Sequence, residues 1–138
     1  MLANMEKNSF PPETPLMLCL NTRNGIDLID VRKVVYLRAD GNYTEFVTAD
    51  GKTKTHLSNL AHFESEIQRL YERNGIPSPF FRLSRSYLIN TDYVSSVNLS
   101  TQTLSFFADA VKSLTVSKRL LRTLQAYIYE KYNPSCGQ

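Results

Sequence analysis

Period-two alternation dominates the start of the chain. Leu16, Leu18 and Leu20 alternate with Met17 and Cys19, which predicts a strand covered on at least one face. Arg23-Asn24-Gly25 follows as a turn, Asn-Gly being the pair that supplies the positive φ angles of a tight hairpin. Ile26, Leu28 and the run Val31 to Tyr36 continue in strand fashion, with Asp30-Val31 placed to start a short helical turn. Ala39-Asp40-Gly41-Asn42 breaks the pattern: Gly41 admits conformations that a side chain forbids, and Asn42 tolerates the left-handed region. Tyr43 to Thr48 and Lys52 to His56 read as strands joined by a turn at Asp50-Gly51. In the second, Lys52, Lys54 and His56 alternate with Thr53 and Thr55, the pattern of an exposed or edge strand.

A helical stripe comes next. Leu60, Phe63, Ile67, Leu70 and Tyr71 share one face of a helix predicted from about Asn59 to Asn74, capped by Ser58 and stopped by Gly75 and Pro77. Glu64, Glu66 and Glu72 face outward with Arg69 and Arg73. So acidic a face would repel a polyanion such as DNA, which puts this helix away from any surface that binds one. Further on, Val94 to Asn98 and Thr103 to Phe107 form a hairpin around Ser100-Thr101-Gln102. Ala108-Asp109-Ala110 is a turn, and Val111 to Val116 the next strand. Ser117 caps a last helix with the stripe Leu120, Leu121, Leu124, Tyr127 and Ile128, ended by Asn133-Pro134. Strands and helices do not alternate, so the expected fold is antiparallel and mostly β, with two helices.

Length and composition narrow this further. A chain of 138 residues, 42% hydrophobic and 21% charged, suits one globular domain. Residues 1–15, with Pro11, Pro12 and Pro15, read as a flexible leader, 16–132 as the domain and 133–138 as a tail. Acidic and basic residues nearly balance up to Phe81. From Arg82 to Arg122, however, Arg82, Arg85, Lys112, Lys118, Arg119 and Arg122 face only Asp92 and Asp109. A local basic surface on a near-neutral body is the footprint of a polyanion binder. Cys19 and Cys136 lack metal-ligand spacing and read as reduced thiols of a cytoplasmic protein, and no segment has the length of a membrane span or the pattern of a signal peptide.

The chemistry concentrates between Phe80 and Asn98. Arg82 and Arg85 bracket Ser84, and Ser86 follows, so two guanidiniums and two hydroxyls stand between apolar runs, a surface for phosphates or base edges. Arg82 reads equally as a structural salt-bridge partner. Tyr43 reads as core or as a contact, and Asn90 as a residue that satisfies backbone groups where strands end. His56 and His62 have no acidic or Cys partners at ligand spacing, which gives no metal site. No nucleophile elbow or Gly-rich phosphate loop is present, so neither a cofactor nor an enzyme is expected.

Four blocks in order resemble the LytTR domain, the DNA-binding output module of LytR/AlgR-type bacterial response regulators. They are Val34 to Thr44 around Ala39-Asp40-Gly41-Asn42-Tyr43, Leu57-Ser58-Asn59-Leu60, Phe80 to Asn90, and Leu114 to Arg119. The resemblance covers roughly Leu16 to Tyr132. It implies an elongated β-β-β arrangement of small antiparallel sheets, with loops that enter successive major grooves of bent double-stranded DNA. It also implies base contacts at Asn42, Tyr43, Arg85 and Lys118, and phosphate contacts at Thr44, Arg82, Ser84, Ser86, Ser117 and Arg119. Ser84 stands where many members have His, and Ala108-Asp109-Ala110 lacks the usual Asp-Gly turn. The implied role is a transcription regulator on promoter direct repeats, two copies assembling on DNA. It would be a stand-alone member without a receiver domain, its signal coming from abundance, a ligand or a separate partner.

The alternative is a protein-interaction module on a LytTR-like scaffold that binds no DNA. Retention of Arg85, Lys118 and Arg119 argues against it. Salt separates the two: a DNA complex should weaken steeply between roughly 50 and 200 mM salt in a titration, through counterion release, whereas an apolar protein interface should not.

Overall fold

The computed structural model describes residues 14–134. The expected leader (1–15) lies outside them except for Thr14 and Pro15, as does the expected tail (133–138) except for Asn133 and Pro134; Cys136 falls outside. The chain divides into two compact units, Met1–Arg32 and Lys33–Gln138.

The described part of the first unit is a hairpin. β1 (Met17–Thr22) and β2 (Gly25–Asp30) pair antiparallel from Met17↔Asp30 to Thr22↔Gly25. Leu18, Leu20 and Ile29 are buried, while Met17, Ile26 and Leu28 stay exposed, so alternation holds on both strands. The turn differs from expectation. Arg23 and Asn24 make the connection, and the positive φ falls on Gly25, not on Asn24. The Asp30 carboxylate closes the open end by accepting the N–H groups of Leu16 and Arg32, each at 3.1 Å. A single 3₁₀ turn, Val31–Lys33, follows where Asp30-Val31 suggested one.

The second unit holds β3 (Val34–Asp40), β4 (Tyr43–Thr48), β5 (Thr53–Leu57), α1 (Leu60–Arg73), β6 (Phe80–Arg82), β7 (Tyr87–Asn90), β8 (Val94–Asn98), β9 (Thr103–Phe106), β10 (Leu114–Thr115) and α2 (Lys118–Tyr132). Five strands form one sheet in the order β5-β4-β3-β7-β6, and three form another in the order β10-β9-β8. Every pairing is antiparallel, as the lack of strand–helix alternation predicts.

β3 is buried across Val34 to Leu37 because both faces of its sheet are covered. On one face lie Leu37, Phe46 and Leu88, cross-strand neighbours in register, under α1. The Phe46 and Phe63 rings meet edge to face at 5.1 Å. On the other face Tyr36, Val47 and Ile89 pack with Leu104 and Phe106 of the second sheet and with Leu121 and Leu124 of α2. Tyr36 stacks on Phe106 at 5.6 Å and Phe81 meets Tyr127 at 4.6 Å. Burial pushes the Tyr36 phenol above its ordinary pKa.

Two local expectations shift, at the start of α1 and over Val111 to Val116. The cap of α1 is Asn59, whose Oδ1 accepts the His62 N–H at 2.8 Å, while the carbonyl of Ser58 is taken by Thr44. At the far end Gly75 and Ile76 donate to Glu72 and Tyr71, both at 3.1 Å, which satisfies the last carbonyls of the helix. The strand expected over Val111 to Val116 contracts to Leu114–Thr115, because the Val111 N–H closes a turn onto Ala108 at 2.9 Å. Gly51 of the β4–β5 hairpin backs onto that turn. A Cβ there would meet the Ala110 carbonyl at 2.9 Å, and φ is +85°, so a side chain is excluded twice.

Asn90 is 1% exposed and bonds as the sequence suggested. Its Nδ2 donates to Val34 O at 2.8 Å, and its Oδ1 accepts the Asp92 N–H at 3.0 Å. Asn90→Ala leaves the buried Val34 carbonyl and the part-buried Asp92 N–H without these bonds and should cost about 1–3 kcal/mol, read as a lower midpoint in urea unfolding.

Candidate nucleic-acid interface

The register of β3 decides where the candidate residues stand. β3 pairs with β4 as far as Asp40↔Tyr43 and with β7 as far as Arg38↔Tyr87. Both neighbours run antiparallel to it, so the β3–β4 connection and the β6–β7 connection emerge at the same end of the sheet. The Ala39 N–H donates to Ser86 O at 2.8 Å and carries the ladder one step into the β6–β7 loop. Leu57 of β5 pairs with Tyr43 and is exposed at this end too.

Gly41 and Asn42 are the two residues of the β3–β4 turn. A φ of +60° falls on Gly41, the first central position of a mirror-image turn whose twist suits a hairpin. Asn42 is exposed, and Tyr43, at 47% exposure, belongs to the surface and not to the core. Thr44 does not join them. Alternation along β4 turns it inward, where it is fully buried and its hydroxyl donates to Ser58 O at 2.9 Å. The expected phosphate contact at Thr44 is thereby corrected.

The β6–β7 loop is wired from several sides. Leu83 is buried, and the amides of Leu83 and Ser84 both donate to Tyr87 O, at 3.0 and 3.4 Å. The half-buried Ser84 accepts the Ser86 N–H on its hydroxyl at 3.1 Å. Arg85 and Ser86 are exposed. Arg82 takes the structural role of the two weighed for it. Its Nε donates to Ser84 O at 2.6 Å, its Nη2 reaches Arg85 O at 3.4 Å, and its Nη1 pairs with Glu64 of α1. These bonds engage the part-exposed guanidinium within the protein. With the two side chains 30% and 40% exposed, the pair adds at most about 1 kcal/mol of stability; its effect is on orientation. Glu64 was legible in the sequence only as part of a solvated acidic face, and α1 comes closer to the loop than that face suggested.

Lys118 stands on the other sheet's side of the unit. Ser117 caps α2, its Oγ accepting the Leu120 N–H at 3.4 Å and its carbonyl the Leu121 N–H at 3.0 Å. Val116 N–H bonds Gln102 O at 2.9 Å, which ties the helix start to the tip of the β8–β9 hairpin. Ser117, Lys118, Arg119 and Arg122 are all exposed. Free amides and the helix dipole there favour an anion.

Arg38 illustrates the opposite case. Its Nε bonds Glu45 at 2.9 Å across the β3–β4 ladder, and this bond is the main reason its pKa lies above the ordinary value. Its charge is therefore answered within the sheet. Among the described residues no group of His, Cys, Asp and Glu could hold a metal, and no helix is long and apolar enough to cross a membrane.

Comparison with known proteins identifies the family and the fold. A family model described as the LytTr DNA-binding domain matches residues 24–129. Among solved structures, a LytTr DNA-binding domain from Bacillus cereus superposes with a TM-score of 0.53 at 23% sequence identity, covering 88% of this chain and 99% of its own; at that identity the likeness concerns the fold. A comparison with curated proteins gives no match.

Ser117→Ala removes the cap of α2 and should cost about 1 kcal/mol, seen as a lower unfolding midpoint with the rest of the domain intact.

Proposed function

We propose that this chain, which belongs to the LytTr DNA-binding domain family, regulates transcription by reading promoter DNA through side chains on loops. The observation that carries the reading is the bond between Ala39 and Ser86, which sets the Gly41-Asn42 turn beside the Arg85 loop at one end of a sheet buried on both faces. A rigid platform with an exposed Arg, Asn and Tyr at one edge suits a groove of duplex DNA.

Arg85 is the base reader: a guanidinium forks onto guanine O6 and N7 in the major groove, worth about 1–3 kcal/mol against the wrong base. Asn42 and Tyr43 act beside it. Lys118, at the start of α2, reads a second segment of the same duplex, while Ser84, Ser86, Ser117 and Arg119 hold phosphates, Ser117 and Arg119 with the support of the helix N-terminus. Two platforms on one chain favour a site that spans more than one groove, and two copies on direct repeats would extend it.

Selection of bound duplexes from a random pool tests this reading, with Arg85→Ala run in parallel at fixed salt. The wild type should recover a repeated motif, and the variant should lose base preference at one position per repeat, with affinity falling about 5- to 100-fold. No enrichment by folded protein would overturn the proposal in favour of a protein-interaction module.

A further inference from the structure

The backbone N–H bonds around the β6–β7 loop secure neighbours of Arg85: Leu83 and Ser84 through Tyr87 O, Ser86 through the Ser84 hydroxyl and Ala39. Among the described hydrogen bonds, the one that reaches the Arg85 peptide itself comes from Arg82. Arg82 in turn has its guanidinium committed in three directions, to Ser84 O, to Arg85 O and to the Glu64 carboxylate. Three partners restrict the turning of this planar group, and Glu64 is the member that supplies opposite charge.

Glu64 is well placed for such a task. It follows Phe63 on α1, and the stripe Leu60, Phe63 and Ile67 is buried to 3% exposure or less, so core packing sets the helix that carries the carboxylate. β6 delivers Arg82 to the α1 side of the sheet because Phe81 faces the other way, onto Tyr127. We propose that Glu64 is a positioning residue for DNA reading: it holds Arg82 on the carbonyls of Ser84 and Arg85 and so fixes the direction in which the Arg85 side chain leaves the loop. This role rests on the reading of Arg85 as a base contact.

Electrostatics gives the proposal a distinctive sign. A carboxylate near a polyanion site opposes binding of any sequence, so its removal alone strengthens specific and non-specific binding together. Loss of aim acts only where a base must be met, so it lowers the specific complex relative to the non-specific one. Removal of the guanidinium's charge partner also frees Arg82 to turn toward a phosphate, which again favours sequence-independent binding.

The experiment uses the full chain and two duplexes of equal length, the selected site and a scrambled one, at fixed salt. Glu64→Gln should lower the ratio of the two affinities about 5- to 20-fold, with binding to the scrambled duplex unchanged or stronger. Glu66→Gln, which removes an acid of α1 paired with Arg69, should leave the ratio unchanged. Arg82→Lys should lower it as Glu64→Gln does, and the double variant should be no worse than either alone, since one clamp is lost in each case. In the DNA-free protein, amide exchange at Ser84 to Ser86 should quicken in Glu64→Gln while β3 keeps its protection. A ratio that stays constant, with both affinities raised equally, overturns the positioning role and leaves Glu64 as a charge only. A wild type that does not distinguish the two duplexes overturns the DNA reading itself, and this role with it.

Discussion

The position of β3 at the centre of the five-stranded sheet is the constraint on which the rest depends. It is bonded on both edges, to β4 and to β7, and covered on both faces. A slip of one residue along either ladder would send Leu37, Phe46 and Leu88 away from α1 and bring Tyr36, Val47 and Ile89 under it. Both sets are large and buried, so the register is strongly determined. The same register places Ala39 opposite Ser86 and Asp40 opposite Tyr43. The juxtaposition of the two loops is thus a by-product of core packing, which is why they can be short and need no stabilisation of their own beyond a few local hydrogen bonds.

Much of this was legible in the sequence, and for identifiable reasons. Strand and helix positions follow from the period of apolar residues, so β1, β4, β5, β8, β9 and both helices lie close to where alternation and the helical stripes put them. Gly41 and the Ser117 cap were legible because each answers a local backbone demand. The failures are also local. Ser58 and Asn59 are both good capping residues, and the choice between them turned on Thr44, which claims the Ser58 carbonyl from another strand. The Val111 to Val116 segment has strand composition throughout. It pairs only over Leu114–Thr115, since the turn onto Ala108 uses its first residue.

Site residues divide along the same line. Exposure at Arg85, Ser86, Lys118 and Arg119 agrees with what their polar, loop-like settings suggest. The internal bonds of Thr44 and Arg82 were not legible because their partners, Ser58 and Glu64, are distant in sequence; Glu64 and Arg82 stand 18 residues apart. Hydroxyls and guanidiniums beside a loop have the same composition whether they face a ligand or hold the loop. Tertiary contact separates the two roles, and short-range pattern does not.

That separation bears on how a small basic domain achieves selectivity. Cations spread over a surface attract any duplex, and the attraction carries no information about sequence. Information requires that a few of them be aimed while others are taken out of contention. Arg38 pairs with Glu45 across the exposed β3–β4 ladder, and Arg82 with Glu64 beneath the loop. Each pair lowers the charge available for indiscriminate attraction near the exposed Arg85. On the reading proposed above, Glu45 and Glu64, the latter on a helix whose acidic face at first sight belongs far from DNA, contribute to selectivity at Arg85 by answering two nearby cations.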